Sequence, residues 1–359
     1  MAAAAALLAA SLAIAACGSD EEFPPPAEPA ASPEQRQAPA GTVLELPNGG
    51  EAEGIVADPE TGIVAVATRD PDAIILVMDA TGRAERAERP KLADVRIPES
   101  PRHMQLAAPG GPVLATAERT DDLIEVTLPD ALPATGRPGG PRVRTVRVGD
   151  FPHDATAAGP PGDPTARIFV ADEGGDTISV VEGESVAATL PAAEQPGGIA
   201  NADGVIGVIA VAERVLTTYD AESLEETGEV DAGVGPTHLV AGDDGRFYVA
   251  DTQGDAILVF DAGPPPELLD RVNLPGAPYG IAIDNENRRL WVTQTARNRV
   301  VEYVIPEEGP AAPKRVRSFR TVQQPNTVAV DPASGLVYVA GRANGVLQAF
   351  DPDRAEAQG

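Results

Sequence analysis

The sequence is poor in several things that functional classes depend on. One cysteine in 359 residues excludes an internal disulfide and any multi-cysteine metal cluster. Aromatic residues make up 4%, with a single tryptophan, so stacking platforms for carbohydrate are scarce. Basic side chains number 27 against 55 acidic ones, and the net charge of −28 excludes nucleic acid as a partner, because a phosphate backbone needs a basic stripe. Lysine occurs only as Lys91 and Lys314. Nowhere is there a Gly-x-Ser-x-Gly elbow, a His-Glu-x-x-His pair, a phosphate loop or a dinucleotide fingerprint. Asp70-Pro71-Asp72 and Asp243-Asp244-Gly245 are acidic turns without the alternation of a calcium loop. What the chain has in abundance is glycine and proline, 36 of each, which is too many turn formers for a helix bundle.

Residues 1–16 form an apolar Ala/Leu run of signal-peptide length, too short to span a bilayer comfortably. The run closes on Ile14-Ala15-Ala16-Cys17. An aliphatic residue, two small residues and the sole cysteine resemble the bacterial lipobox, which implies cleavage before Cys17 and its lipidation. Residues 17–40, rich in Pro, Ala and Glu, cannot offset their own ordering entropy and are expected to be a disordered tether. Residues 353–359 are expected to be a disordered polar tail.

Between these ends, residues 41–352 repeat themselves. Pro278-Tyr279-Gly280-Ile281-Ala282-Ile283-Asp284, then Leu290-Trp291-Val292-Thr293, then Val300-Val301-Glu302-Tyr303-Val304 has counterparts starting at Ala52, Pro101, Pro152, Pro196, Pro236 and Pro325. Each copy strings short Val/Ile/Ala-rich runs between Gly, Pro, Asp and Asn, which is the pattern of strands and tight turns. Many runs are apolar on both faces, as strands buried between packed sheets should be. A period of 40–51 residues with several strands per copy predicts an all-β propeller of seven blades. The last copy holds only three strands, so Thr42–Leu46 is expected to supply its fourth and close the ring. Trp291 lies in a second strand and reads as packing. An Asp or Asn before most third strands (Asp72, Asp122, Asp176, Asp255, Asn298, Asn344) is expected to cap its own turn.

The second strands Tyr248-Val249-Ala250, Trp291-Val292-Thr293 and Tyr338-Val339-Ala340 resemble the YVTN-type repeats of seven-bladed β-propellers. The Pro-x-x-aliphatic-Ala start and the third strand ending Phe-Asp are similar as well. The resemblance covers about residues 42–351. It implies the fold, and it implies extracytoplasmic binding or surface proteins, with lactonases and lyases among related propellers.

The three histidines, His103, His153 and His238, each fall one or two positions after a repeat proline. That position opens the innermost strand, where loops meet the central channel. Asp154 holds in the third copy the slot of His103 and His238, and Glu53 and Arg102 hold neighbouring slots. Imidazole with carboxylate is a divalent-metal donor set, and imidazole is also an acid or base near neutral pH. The sequence therefore nominates Glu53, Arg102, His103, His153, Asp154 and His238 as channel-mouth residues. Within that group, His103, Asp154 and His238 are the candidate ligands of a divalent metal.

These features lead to an outward-facing, lipid-anchored monomer of the bacterial cell envelope, attached to the membrane only through its lipid. It is expected to bind a protein or small-molecule ligand through the channel-mouth loops. The alternatives are a lactone hydrolase or lyase working at the same mouth, and a structural envelope scaffold.

Overall fold

The computed structural model describes residues 27–47, 50–80, 90–129, 140–159, 166–307 and 312–357. The lipobox-like stretch with Cys17 lies outside them. The described residues form 28 strands, β1 to β28 in chain order, arranged as seven four-stranded antiparallel sheets. Blades 1 to 6 each take four consecutive strands. Their innermost strands are β2 (Glu51–Ala57), β6 (Met104–Leu106), β10 (Pro152–Ala158), β14 (Pro196–Ala202), β18 (Pro236–Gly242) and β22 (Pro278–Asp284).

Blade 7 runs outward from β26 (Pro325–Asp331) through β27 (Leu336–Gly341) to β28 (Val346–Phe350), and its outer strand is β1 (Thr42–Glu45). β1 pairs antiparallel with β28 in the register Thr42↔Ala349 to Glu45↔Val346. First and last strands thus share one sheet, and β28 has no free edge.

The reason for a ring is visible in the strands. β3 (Ile63–Arg69) and β4 (Ala73–Met78) are buried on both faces, so each sheet needs an apolar neighbour on either side. One apolar cluster fills each gap between adjacent blades. The gap between blades 7 and 1, for example, holds Tyr338, Ala340 and Leu347 against Ala52, Val64 and Ile75. Trp291 is buried between blades 6 and 7 with Phe319 and Phe350, at ring distances of 6.1 and 6.2 Å. Outer strands alternate instead, as in β13 (Ser185–Pro191), because one face meets water.

The turn-forming Asp and Asn residues do something other than the sequence suggests. Asp70, Asp121, Asp176, Asp255 and Asn298 are left-handed, with φ between 48° and 55°, a region in which Asp and Asn are favoured among residues with a Cβ. In blades 1 and 2 the left-handed residue is therefore Asp70 and Asp121, one or two places ahead of Asp72 and Asp122. In blade 7 it is Gly345 rather than Asn344. The side chains of Asp121, Asp176, Asp255 and Asn298 reach to the next blade. Phe151 N donates to Asp121 (3.0 Å), Gln195 N to Asp176 (2.9 Å), Ala277 N to Asp255 (3.0 Å) and Gln324 N to Asn298 (3.2 Å). Each accepted N–H belongs to the residue just before the proline that opens the next inner strand, and each of those residues is itself left-handed. These contacts pin the start of one inner strand to the preceding blade.

Two segments expected to be free are held. Residues 27–40 have no strand or helix, yet Ser32 Oγ donates to Thr295 O (2.7 Å), Asn298 Nδ2 to Pro33 O (2.8 Å) and Gln324 Nε2 to Ala30 O (3.0 Å). Arg320 Nε donates to Ala38 O at 3.1 Å. The segment is held by polar partners on blades 6 and 7, with Ala40 packed against the apolar cluster between them. At the other end, Asp353 pairs with Arg317 at 2.8 Å and Glu356 with Arg320 at 3.6 Å.

Deleting residues 41–46 removes the partner of β28 and uncovers the gap between blades 7 and 1. The unfolding temperature should fall by roughly 5 °C or more, with a rise in light scattering from the exposed edge. An unchanged melting curve in differential scanning calorimetry would show that closure carries no stability.

Candidate ligand site at the channel mouth

The inner strands converge on one axis, and their starting ends surround the mouth. His103 immediately precedes β6, while His153, His238 and Tyr279 sit in β10, β18 and β22. Their rings form a row, His153–His103–His238–Tyr279, with centroid distances of 4.6, 4.3 and 4.4 Å. Blades 3, 2, 5 and 6 contribute one ring each. Blade 4 opens with Pro196-Gly197-Gly198 and contributes no ring; Gly197 lies alongside His153, where a Cβ would make ordinary contact at 3.8 Å from Cδ2. Below the row, a cavity of about 580 Å³ follows the axis from His103 and His238 to the hairpin turns at Pro59, Asp243 and Pro332.

A regular backbone feature marks the inner strands, but it does not by itself decide which side chains meet. Register shifts occur at the start of most inner strands, between Pro152 and Asp154, between Pro236 and His238, and between Pro278 and Ile281 among others. Such a bulge re-aims the side chains that follow it. In blade 3 His153 lies in the bulge and joins the rings, whereas in blade 5 Thr237 lies there and His238, the residue after it, joins them. Asp154, the residue after His153, does not join His103 and His238 in any three-donor group. Its carboxylate accepts Ala155 N (2.8 Å) and Gln105 Nε2 (3.0 Å), and burial raises its pKa to about 6 despite those donors. Among the described residues, the three-donor group within 4.8 Å is a different one from the expected His103, Asp154 and His238.

The observed grouping centres on His153. Its Nδ1 lies 3.3 Å from Glu118 Oε1 and 3.0 Å from Glu173 Oε2, and among the described residues these three form the group whose donor atoms all lie within 4.8 Å of one another. None of the three atoms is in hydrogen-bond geometry, so the pairing is ionic. Arg102 Nε stands 3.1 Å from Glu118 Oε1. On the other side of the mouth Glu53 pairs with Arg342 (3.6 Å) and Arg69 (3.9 Å).

Burial and charge split the imidazoles into two kinds. Burial opposes a charge on His153, but the adjacent Glu118 and Glu173 outweigh it and raise the pKa to about 9. Burial, with the charge of His153, lowers His238 to about 3. Burial and the neighbouring His238, His153 and Arg102 likewise hold His103 well below its ordinary value. Burial works against the Glu118 carboxylate too, yet His153 and Arg102 hold it below the usual range. Burial, then the charges of Glu53 and Glu28, push the Tyr279 hydroxyl up. His238 is 8% exposed, and neither ring nitrogen has a hydrogen-bond partner.

Glu118, Glu173 and Tyr279 escape the sequence reading. A signal for the first two exists: each stands three residues ahead of a left-handed aspartate, Asp121 and Asp176, in the slot that holds Thr252, Thr295 and Arg342 in later blades.

No protein-family model matches the chain, and no curated protein matches it. Solved structures match its fold. Hydrazine synthase of Kuenenia stuttgartiensis has a TM-score of 0.67 and 13% identity, over 87% of this chain and 98% of that one. A streptogramin B lyase reaches 0.65 and 13%, over 89% and 98%. Virginiamycin B lyase from Staphylococcus aureus reaches 0.63 and 14%, over 85% and 97%, and a catalytically inactive variant of it, solved with quinupristin, matches likewise. At these identities the likeness concerns the fold.

The split among the imidazoles is measurable. In chelator-treated protein, ring ¹⁵N shifts should show His153 protonated up to about pH 9 and His238 neutral down to about pH 3. Because the folded pKa of His153 exceeds the unfolded value of about 6.5, its stabilising contribution is fully present below that pH and is lost as pH rises through about 9. Titration of His153 near pH 6.5 would mean that the two carboxylates do not hold its charge.

Proposed function

We propose that the protein is a lipid-anchored, outward-facing β-propeller of the bacterial cell envelope that binds a small polar ligand or a protein loop at its channel mouth. The observation that carries this reading is the row of four rings with its flanking charges. It is a preformed concave site with a few convergent polar groups, which is how small-molecule sites are built. Its protonation states suit recognition better than proton transfer. General acid–base work is fastest with a pKa near the operating pH, whereas His153 at about 9 and His238 at about 3 stand far to either side, and Asp154, at about 6, has its carboxylate already engaged by Ala155 N and Gln105 Nε2. Arg102, Arg69 and Arg342 against Glu53, Glu118 and Glu173 offer both signs of charge to a ligand. The anchor rests on the resemblance of Ile14-Ala15-Ala16-Cys17 to a lipobox.

A lyase or lactone hydrolase is the second reading, and the convergence of three imidazoles favours it. The scaffold reading has less behind it. Exposed large apolar residues such as Val43, Val143 and Val316 are scattered over the outer strands of different blades and form no broad patch among the described residues.

Three experiments test the proposal. Expressed in a bacterium fed an alkyne-tagged palmitate, the full chain should carry the tag and the Cys17→Ser variant should not; absence of the tag from both removes the anchor. A thermal-shift screen of polar metabolite-sized compounds should yield hits that stabilise the protein but leave a His103→Ala/His238→Ala double variant unmoved. Incubation of the same protein with quinupristin and a lactone panel should leave every compound intact by mass spectrometry. Ring opening lost in the double variant would establish the enzyme reading instead.

A further inference from the structure

Glu118, His153 and Glu173 bring three donor atoms to one point where blades 2 and 3 meet. Glu118 follows β7 (Val113–Ala117), and Glu173 follows β11 (Arg167–Asp172). Each of these strands is the second in its blade, so both carboxylates emerge at the mouth end beside the start of β10. The spacing fits a metal ion as well as an ion pair. A metal ion that holds N and O ligands at about 2.0–2.2 Å keeps neighbouring donor atoms about 3.0–3.5 Å apart. His153 Nδ1 stands 3.0 Å from Glu173 Oε2 and 3.3 Å from Glu118 Oε1.

A second observation is independent of that spacing. Glu118 is 8% exposed, and Glu118 Oε1, His153 Nδ1 and Glu173 Oε2 are all buried without a hydrogen-bond partner. Had the imidazole simply donated to one carboxylate, its N–H would point along that contact. Two carboxylates, each with a buried oxygen, share one imidazole without a well-aligned hydrogen bond, and a dication between them would offset their mutual repulsion more fully than a single imidazolium does. Arg102 touches Glu118 from outside the triangle and fixes the carboxylate's orientation, as outer partners of metal ligands do.

We propose that Glu118 Oε1, His153 Nδ1 and Glu173 Oε2 bind one transition-metal dication at the junction of blades 2 and 3, the imidazole giving up its proton to solvent as the metal enters. The nitrogen donor selects Zn²⁺ or Mn²⁺ over Mg²⁺ and Ca²⁺, which prefer all-oxygen shells. With three protein ligands, the remaining coordination positions fall to solvent or to a ligand at the mouth. This centre goes beyond the ligand-binding reading and does not depend on it, since it needs only these three side chains.

The test is calorimetric titration of the chelator-treated full chain with ZnCl₂, MnCl₂, MgCl₂ and CaCl₂. Zn²⁺ and Mn²⁺ should bind at one ion per chain, Zn²⁺ the tighter, both at least tenfold tighter than Mg²⁺ or Ca²⁺. Glu173→Gln should weaken Zn²⁺ by about 100-fold, whereas Asp154→Asn should leave it within about threefold, because Asp154 is no ligand of this centre. In the Mn²⁺-loaded wild type, electron spin-echo modulation should show an imidazole nitrogen on the metal, a readout that does not depend on any variant folding. Sub-stoichiometric binding, binding indifferent to Glu173→Gln in a variant of unchanged circular dichroism, or Mn²⁺ without nitrogen modulation would each overturn the proposal. The compound screen on chelator-treated protein reports on the ligand site separately, so either idea can fail alone.

Discussion

Every blade of this propeller has two apolar faces, and that constraint shapes everything else. Burying one Val, Leu or Ile contributes about 1.5–3 kcal/mol, so a sheet with a bare face is a large liability. A row of such sheets can only end by closing on itself. Closure then sets the geometry of the mouth. Strands opening at Pro101, Pro152, Pro236 and Pro278 lie far apart in sequence, yet the ring points their first residues at one axis. The left-handed aspartates add local precision, because each fixes the residue before the next blade's proline. The site is thus a product of the ring: imidazoles from blades 2, 3 and 5 can stack only because the blades are held at fixed angles.

The mouth also shows how one environment gives three chemically identical side chains different properties. All three imidazoles are desolvated, which by itself would leave all three neutral. Only His153 has carboxylates at contact distance, and it alone gains charge. Its charge then presses His103 and His238 further toward neutrality. The asymmetry arises from two glutamates in equivalent slots of neighbouring blades, where the other blades carry Thr, Arg or apolar residues.

Much of this was legible in the residues. Repeat length, strand pattern and the shortfall of one strand in the last copy lead to seven blades, and the position of the histidines after the repeat prolines leads to the mouth. What repeat phase cannot convey is the direction of a side chain. Phase equates Asp154 with His103 and His238, and the same bulge precedes Asp154 in blade 3 and His238 in blade 5, yet it is His153, within the bulge, that joins the row while the Asp154 carboxylate is taken up by Gln105 and Ala155 N. A shift of one residue exchanges the two faces of a strand, and no local residue type announces it. The same limit hid the reach of Asp121, Asp176 and Asp255. Their turn-forming character is plain in sequence, whereas their partners lie more than 15 residues ahead in the chain.

Residues 27–40 show the opposite failure, in which composition points to freedom and the structure shows attachment. A segment of Pro, Ala, Glu and Ser lacks the apolar surface to fold by itself, but it need not do so if a folded surface offers unpaired polar groups. Gln324 supplies several at once: its Nε2 donates to Ala30 O, its Oε1 accepts Ser32 N, and its backbone N–H donates to Ser32 Oγ. The strap runs from Gly235 at the opening of blade 5, past Thr295 and Asn298 of blade 6 and Gln324 before β26, to β1. It therefore lies at the mouth end of the ring, and Glu28 is close enough to help raise the Tyr279 hydroxyl. The mouth is consequently two-sided. Blades 2 and 3 present carboxylates and a charged imidazole, while blades 5 to 7 lie beneath a strap that belongs to the chain itself. The strap, which belongs to no repeat, thus adds residues from outside the repeats to one side of the mouth.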